Sequence, residues 1–137
     1  MKPDSMDLRD HFSDAQGSRY AGTHLLVDMW GATGLTDRDG IEATLREAAL
    51  AARATILGGT FHVFSPQGGV TGVLLLAESH ISIHTWPELG FAAIDVFMCA
   101  GCEPMNAMRG LKSFFRPERT SIKTLRRGEE SRGAHPD

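Results

Sequence analysis

Lysine is nearly missing from this chain. Lys2, Lys112 and Lys123 are the only three among 137 residues. None lies in the histidine-rich middle, which speaks against pyridoxal phosphate, a cofactor held as an imine on a lysine. Cysteine is also sparse. Cys99 and Cys102 alone are too few for a disulfide scaffold, so a reducing cytoplasm is the expected compartment. No apolar run approaches the roughly 20 residues of a spanning helix, and the mixed polar stretch Met1 to Arg19 does not read as a signal peptide. Neither sign of charge dominates: 14 basic and 17 acidic side chains leave −3. Arg126-Arg127 is the one local basic pair, short of a clustered basic face, so neither nucleic acid nor membrane is an expected partner.

What is present suits one soluble domain, with 42% hydrophobic and 23% charged residues. Residues 1–20 lack periodicity and read as a loose leader. Gly22 to Trp30 is an apolar strand bounded by glycines. Asp37 or Asp39 can cap a helix over about 41–53, whose Ile41, Leu45, Ala48, Ala49 and Ala52 recur at helical spacing. Thr55 to Ser65 reads as a strand, and Pro66-Gln67-Gly68-Gly69 as a turn. Val70 to Ala77 is a strand apolar on both faces, and His80 to Trp86 continues as strand. Pro87-Glu88-Leu89-Gly90 turns the chain into Phe91 to Cys99. Pro104 suits the first turn of a helix carrying Met108, Leu111, Phe114 and Phe115, and Thr120 to Leu125 closes as a strand. The coarse order β-α-β-β-β-α-β predicts an α+β two-layer sandwich, a mainly antiparallel sheet with helices on one face. The domain spans 21–126, and 127–137 reads as a disordered tail.

Chemistry concentrates between Ala77 and Glu88. Alternation along Ser79-His-Ile-Ser-Ile-His84 puts His80, Ser82 and His84 on one face and Ser79, Ile81 and Ile83 on the other. One reading is a solvated polar face with inert histidines. A metal site is another, with His62, His24 or Cys99 joining the pair, but His80 and His84 stand about 13 Å apart on a strand, too wide for one ion. Cys99-Ala-Gly-Cys102 has redox-motif spacing, yet it ends a strand and leads into Glu103-Pro104 without a β-α-β context. It reads as one packed thiol and one loop thiol.

This segment resembles the processing and active-site segment of the prokaryotic S-adenosylmethionine decarboxylases, which are pyruvoyl-dependent proenzymes. Gly22-Thr-His-Leu-Leu-Val-Asp28, Phe61-His62, Phe64-Ser-Pro-Gln-Gly-Gly69, Thr71-Gly72 and Ala92 to Cys99 resemble the same family, in order. The likeness covers about Gly22 to Leu125. Position Thr71 departs from family members that carry serine there, but keeps the hydroxyl.

The resemblance implies a chain that cuts itself between Glu78 and Ser79. Ser79 Oγ attacks the Glu78 carbonyl, the resulting ester eliminates, and hydrolysis leaves a pyruvoyl group on a new chain. The products would be a β chain, 1–78, and an α chain, 79–137. The rearrangement needs a strained or exposed peptide, because an ordinary strand amide does not undergo it. By the same resemblance His84 is the processing base, with an imidazole suited to the task at neutral pH, and Thr71 assists. Cys99 donates a proton in turnover. Phe64 stacks on adenine with Trp86 nearby, and Glu88 holds the ribose. The implied activity releases CO2 from S-adenosylmethionine for polyamine (spermidine) biosynthesis, in a homodimer of cleaved protomers requiring no metal. Two alternatives stand beside it: the same apparatus acting on arginine or ornithine, and an uncut, non-enzymatic binding module.

Overall fold

The computed structural model describes residues 13–15 and 18–131. The strands, in chain order, are β1 (Ser13–Ala15), β2 (Ser18–Tyr20), β3 (Gly22–Trp30), β4 (Ile56–Phe64), β5 (Gly69–Leu76), β6 (Ser79–Trp86), β7 (Phe91–Cys99), β8 (Arg119–Arg127) and β9 (Glu130–Ser131). Helix α1 (Arg38–Ala51) follows β3, and α2 (Ala107–Phe115) follows β7. Strands β3 to β8 form one sheet in the order β4-β5-β6-β7-β3-β8, with every neighbouring pair antiparallel.

Local sequence explains the elements. Asp37 caps α1, its carboxylate accepting from the Gly40 N–H at 3.0 Å, which satisfies one of the free donors of the first turn. The helix starts three residues earlier than the apolar periodicity alone predicts, because Arg38 to Gly40 are its polar first turn. In α2, Ala107, Met108, Leu111 and Phe115 are buried. They meet Ile41, Leu45, Ala48 and Ala49 of α1 and the inward residues of the sheet, including Leu25, Val27, Leu74, Ile81, Ile94 and Met98, in one core. Both helices therefore cover one face. The other face carries the alternate residues of each strand, and among the described residues no second layer covers it.

The α+β sandwich with a mainly antiparallel sheet and helices on one face is what the periodicity predicted. The coarse order counted one strand too few, since four strands lie between the helices. Leu76 pairs with Ser79, so Ala77-Glu78 is a complete two-residue hairpin turn. It contains no glycine, proline, asparagine or aspartate, the residues by which tight turns are recognised, and Val70 to Trp86 read as a continuing strand. The segments expected as a leader and a tail also hold order: β1, β2 and β9 form a small antiparallel sheet, and β8 runs to Arg127. Residues 1–12, 16–17 and 132–137 of those two segments lie outside the described residues. Among the described residues no helix is long and apolar enough to cross a membrane.

Candidate functional site

At one end of β6 the Ala77-Glu78 turn forces Glu78 to φ 58°. That left-handed conformation costs a non-glycine residue roughly 1–2 kcal/mol. The peptide entering Ser79 is thus strained by the tightness of the hairpin. Ser79 is 8% exposed, and its Oγ accepts the Cys99 N–H at 2.9 Å. Cys99 ends β7, and a turn closed by the Cys102 N–H on the Cys99 carbonyl at 3.0 Å returns the second thiol to the first. The two sulfurs lie 3.5 Å apart, and Cys102 also points at the Arg53 carbonyl, 3.7 Å away. Cys99 ends the strand and Cys102 lies in the loop as expected, but the two thiols do not stand apart. Both are half-buried and they touch, because a three-residue step fits a β-turn. Burial, then hydrogen bonding and charge from Cys99, push the Cys102 thiol up to about 12, with a Ser79 hydrogen bond acting the other way.

A second cluster occupies the opposite end of the same strand. Thr71 pairs with His84 across β5 and β6, and Thr71 Oγ1 lies 3.1 Å from His84 Nδ1. Both line a cleft of about 200 Å³ together with Phe64, Gly69, Trp86 and Glu88. Glu88 is held at the mouth by the short 3-10 turn Pro87–Leu89. Behind the cleft, buried Thr85 donates to the Leu35 carbonyl and accepts the Val70 N–H, both at 2.8 Å. That tie fixes the floor. Sequence reading passed over it, because one threonine in a strand carries no signal until its partners are known. An aromatic row continues the cleft across the open face, with Trp86 and Phe91 centroids 5.3 Å apart and Phe91 and Trp30 at 4.2 Å.

The residues singled out from sequence thus fall into two groups. Ser79, Glu78 and Cys99 meet at one end; Thr71, His84, Phe64, Trp86 and Glu88 meet at the other. Five residues of extended chain separate Ser79 from His84, about 17 Å, and the two side chains leave opposite faces of β6, Ser79 on the buried one. Within one chain they do not meet. Between the groups, His24 and His80 flank Phe97 at 5.6 and 5.7 Å. Among the described residues no group of three or more His, Cys, Asp or Glu side chains is arranged to hold a metal ion.

The sequence profile of the family described as S-adenosylmethionine decarboxylase matches residues 23–128. The chain belongs to that family. It is 46% identical over 110 residues to an S-adenosylmethionine decarboxylase proenzyme of Methanococcus maripaludis strain S2, covering 78% of this chain and 89% of the relative. The proenzyme of Thermomicrobium roseum is 40% identical over 108 residues, covering 78% and 93%. Among solved structures, the adenosylmethionine decarboxylase of Aquifex aeolicus is similar with a TM-score of 0.71 and 32% identity, over 85% of this chain and 98% of that one. Both clusters lie inside the span matched to the S-adenosylmethionine decarboxylase family.

Proposed function

We propose that this chain is a self-processing decarboxylase of S-adenosylmethionine, serving polyamine biosynthesis in the cytoplasm, whose reactive group is made from Ser79. The observation that carries the proposal is the strained Glu78–Ser79 junction, φ 58° at a glutamate directly before a buried serine hydroxyl that a backbone N–H already orients. Attack of Ser79 Oγ on the Glu78 carbonyl relieves that strain, so part of the activation is built into the fold. The same residues fit the group expected to replace Ser79, since the Cys99 N–H and the Cys102 thiol both reach the Ser79 side chain. A pyruvoyl group supplies a ketone that can act as the electron sink for loss of CO2. Cys99 Sγ holds the proton to be returned to the substrate's α carbon, a task suited to a thiol at neutral pH.

The opposite cluster supplies recognition and the processing base. Phe64 and Trp86 offer ring faces to adenine and to the sulfonium cation, and Glu88 offers acceptors to ribose hydroxyls. With Nδ1–H donating to the Thr71 oxygen, His84 Nε2 presents the lone pair a base requires. A cleft of about 200 Å³ is smaller than the roughly 300 Å³ at which ligand sites begin, which fits half of a site. A homodimer supplies the other half: a two-fold axis crossing the middle of β6 exchanges its ends, setting Thr71 and His84 of one copy beside Ser79 and Cys99 of the next. Trp30, Leu75, Trp86 and Leu125 are exposed large apolar residues on the sheet, and such a surface marks a contact region.

Changing Ser79 to Ala tests the assignment, since it removes the attacking oxygen and barely changes volume. The variant should stay one chain by mass spectrometry and release no CO2, whereas the parent yields 1–78 and 79–137. Two chains from Ser79→Ala would sink the processing site. An uncut parent after long incubation would favour the binding module. Faster CO2 release from arginine or ornithine than from S-adenosylmethionine would leave the apparatus standing and overturn the substrate.

A further inference from the structure

The Cys99-Cys102 pair is the one motif that the proposed reaction uses only in part. Its two sulfurs are 3.5 Å apart, and a disulfide needs about 2.05 Å. A small side-chain rotation closes that gap, because the backbone already holds the turn. The Cys99 N–H is tied to Ser79 Oγ at 2.9 Å, the Ala100 N–H to the Ala21 carbonyl at 2.9 Å, and the Glu103 N–H to the Ala52 carbonyl at 2.9 Å. A β-turn keeps its end Cα atoms within about 7 Å, inside the range a disulfide spans. Among the described residues nothing stands within 4 Å of a Cβ built on Gly101, so the outer side of the turn is open to a small reagent.

We propose that Cys99 and Cys102 form a reversible intrachain disulfide, made by exchange with low-molecular-weight disulfides, that takes the Cys99 proton out of turnover. The bond is independent of the decarboxylase reading; its effect on turnover rests on that reading. Cys99, as thiolate, attacks one sulfur of the reagent and expels a thiolate that takes up a proton. Cys102 then loses its proton to water and attacks the Cys99 sulfur, expelling the second thiol. Two thiols are oxidised, one disulfide is reduced to two thiols, and nothing else is consumed. The order follows from the surroundings. Burial and the neighbouring Cys99 keep Cys102 protonated, so Cys99 meets the reagent first. Cys102, with its sulfur 3.5 Å away, is the thiol placed to attack the mixed disulfide.

The test uses the full chain after self-processing, treated with oxidised dithiothreitol and then blocked with iodoacetamide. The 79–137 fragment should lose the mass of two hydrogens, and neither cysteine should alkylate. Decarboxylation should fall about a hundredfold, the low end of what a positioned proton donor contributes, and return with reduced dithiothreitol. Cys102→Ser should keep whatever rate it starts with through the same treatment. Two alkylatable thiols after excess reagent would overturn the bond, as would a link between chains in its place. A disulfide formed with turnover unchanged would overturn its effect. Mass and alkylation need no substrate, so a chain that oxidises as described yet never decarboxylates refutes the enzymatic reading and leaves the bond standing.

Discussion

His24 holds the one buried side-chain polar atom without a hydrogen-bond partner among the described residues, its Nε2. Arg127 lies 3.2 Å from Nδ1. Arginine can only donate, so that nitrogen accepts and the ring proton sits on Nε2. Nε2 faces Asp95 at 3.9 Å, too far for a hydrogen bond. Burial lowers the His24 pKa; Asp95 opposes this, while Arg127 and His80 add to it. The sign of the pH effect follows. Above the ordinary value of 6.5 folded and unfolded chains both hold it neutral, and its contribution is complete. As pH falls below that value the unfolded chain binds the proton first, and stability is lost down to the folded pKa. The urea midpoint of uncut Ser79→Ala protein should therefore drop between about pH 7.5 and about pH 5.5. Adding His24→Gln should shrink the drop, and an equal drop in both proteins would rule out His24 as its source.

At the scale of elements, the β5–β6 hairpin joins the fold to the chemistry. Glu78 at φ 58° is where glycine belongs, and glycine there would relieve about 1–2 kcal/mol of strain. Roughly 0.5–1 kcal/mol of that returns as lost backbone freedom. Glu78→Gly in the uncut Ser79→Ala background should thus raise urea stability, by about 0.5–1 kcal/mol. With Ser79 restored, the same change should slow self-cleavage by about fivefold if 1 kcal/mol of strain assists the attack. A less stable variant that still cleaves at the parent rate would remove strain from the account. This hairpin is also where the sequence was least legible. Alternation correctly separated Ile81 and Ile83 from His80 and His84, since period two follows from strand geometry and one-sided burial. Asp37 and the apolar stripe of α1 were equally plain. The turn was not, because Ala77 and Glu78 carry none of the usual turn residues, and the hairpin shows only in the pairing of Leu76 with Ser79. Contact between Cys99 and Cys102 was hidden for another reason: their spacing is visible, but whether a three-residue step folds back depends on the backbone ties at Ala100 and Glu103.

The whole molecule raises the question that one chain leaves open. His84 lies about 17 Å along β6 from Ser79, on the opposite face, with Thr71 beside it on β5. If each site joins the Ser79 end of one protomer to the His84 end of its partner, two defective chains can repair each other. His84→Ala keeps a native Ser79 and lacks the base; Ser79→Ala keeps the base and lacks the serine. Alone, neither should cleave. In a mixed dimer, the serine of the His84→Ala chain meets His84 of its partner, and that chain alone should be cut. Co-expression with distinguishable tags should yield cleaved His84→Ala chains, up to about half of them if the chains pair at random in an isologous dimer. Ser79→Ala chains should stay whole. Sedimentation should show a dimer for both single variants, so that failed repair cannot be blamed on failed assembly. Dimers that form and mix yet leave every chain uncut would show that His84 serves the serine of its own chain or no serine at all. The division of the site between two copies would then be wrong, even with Ser79 still the residue that is processed.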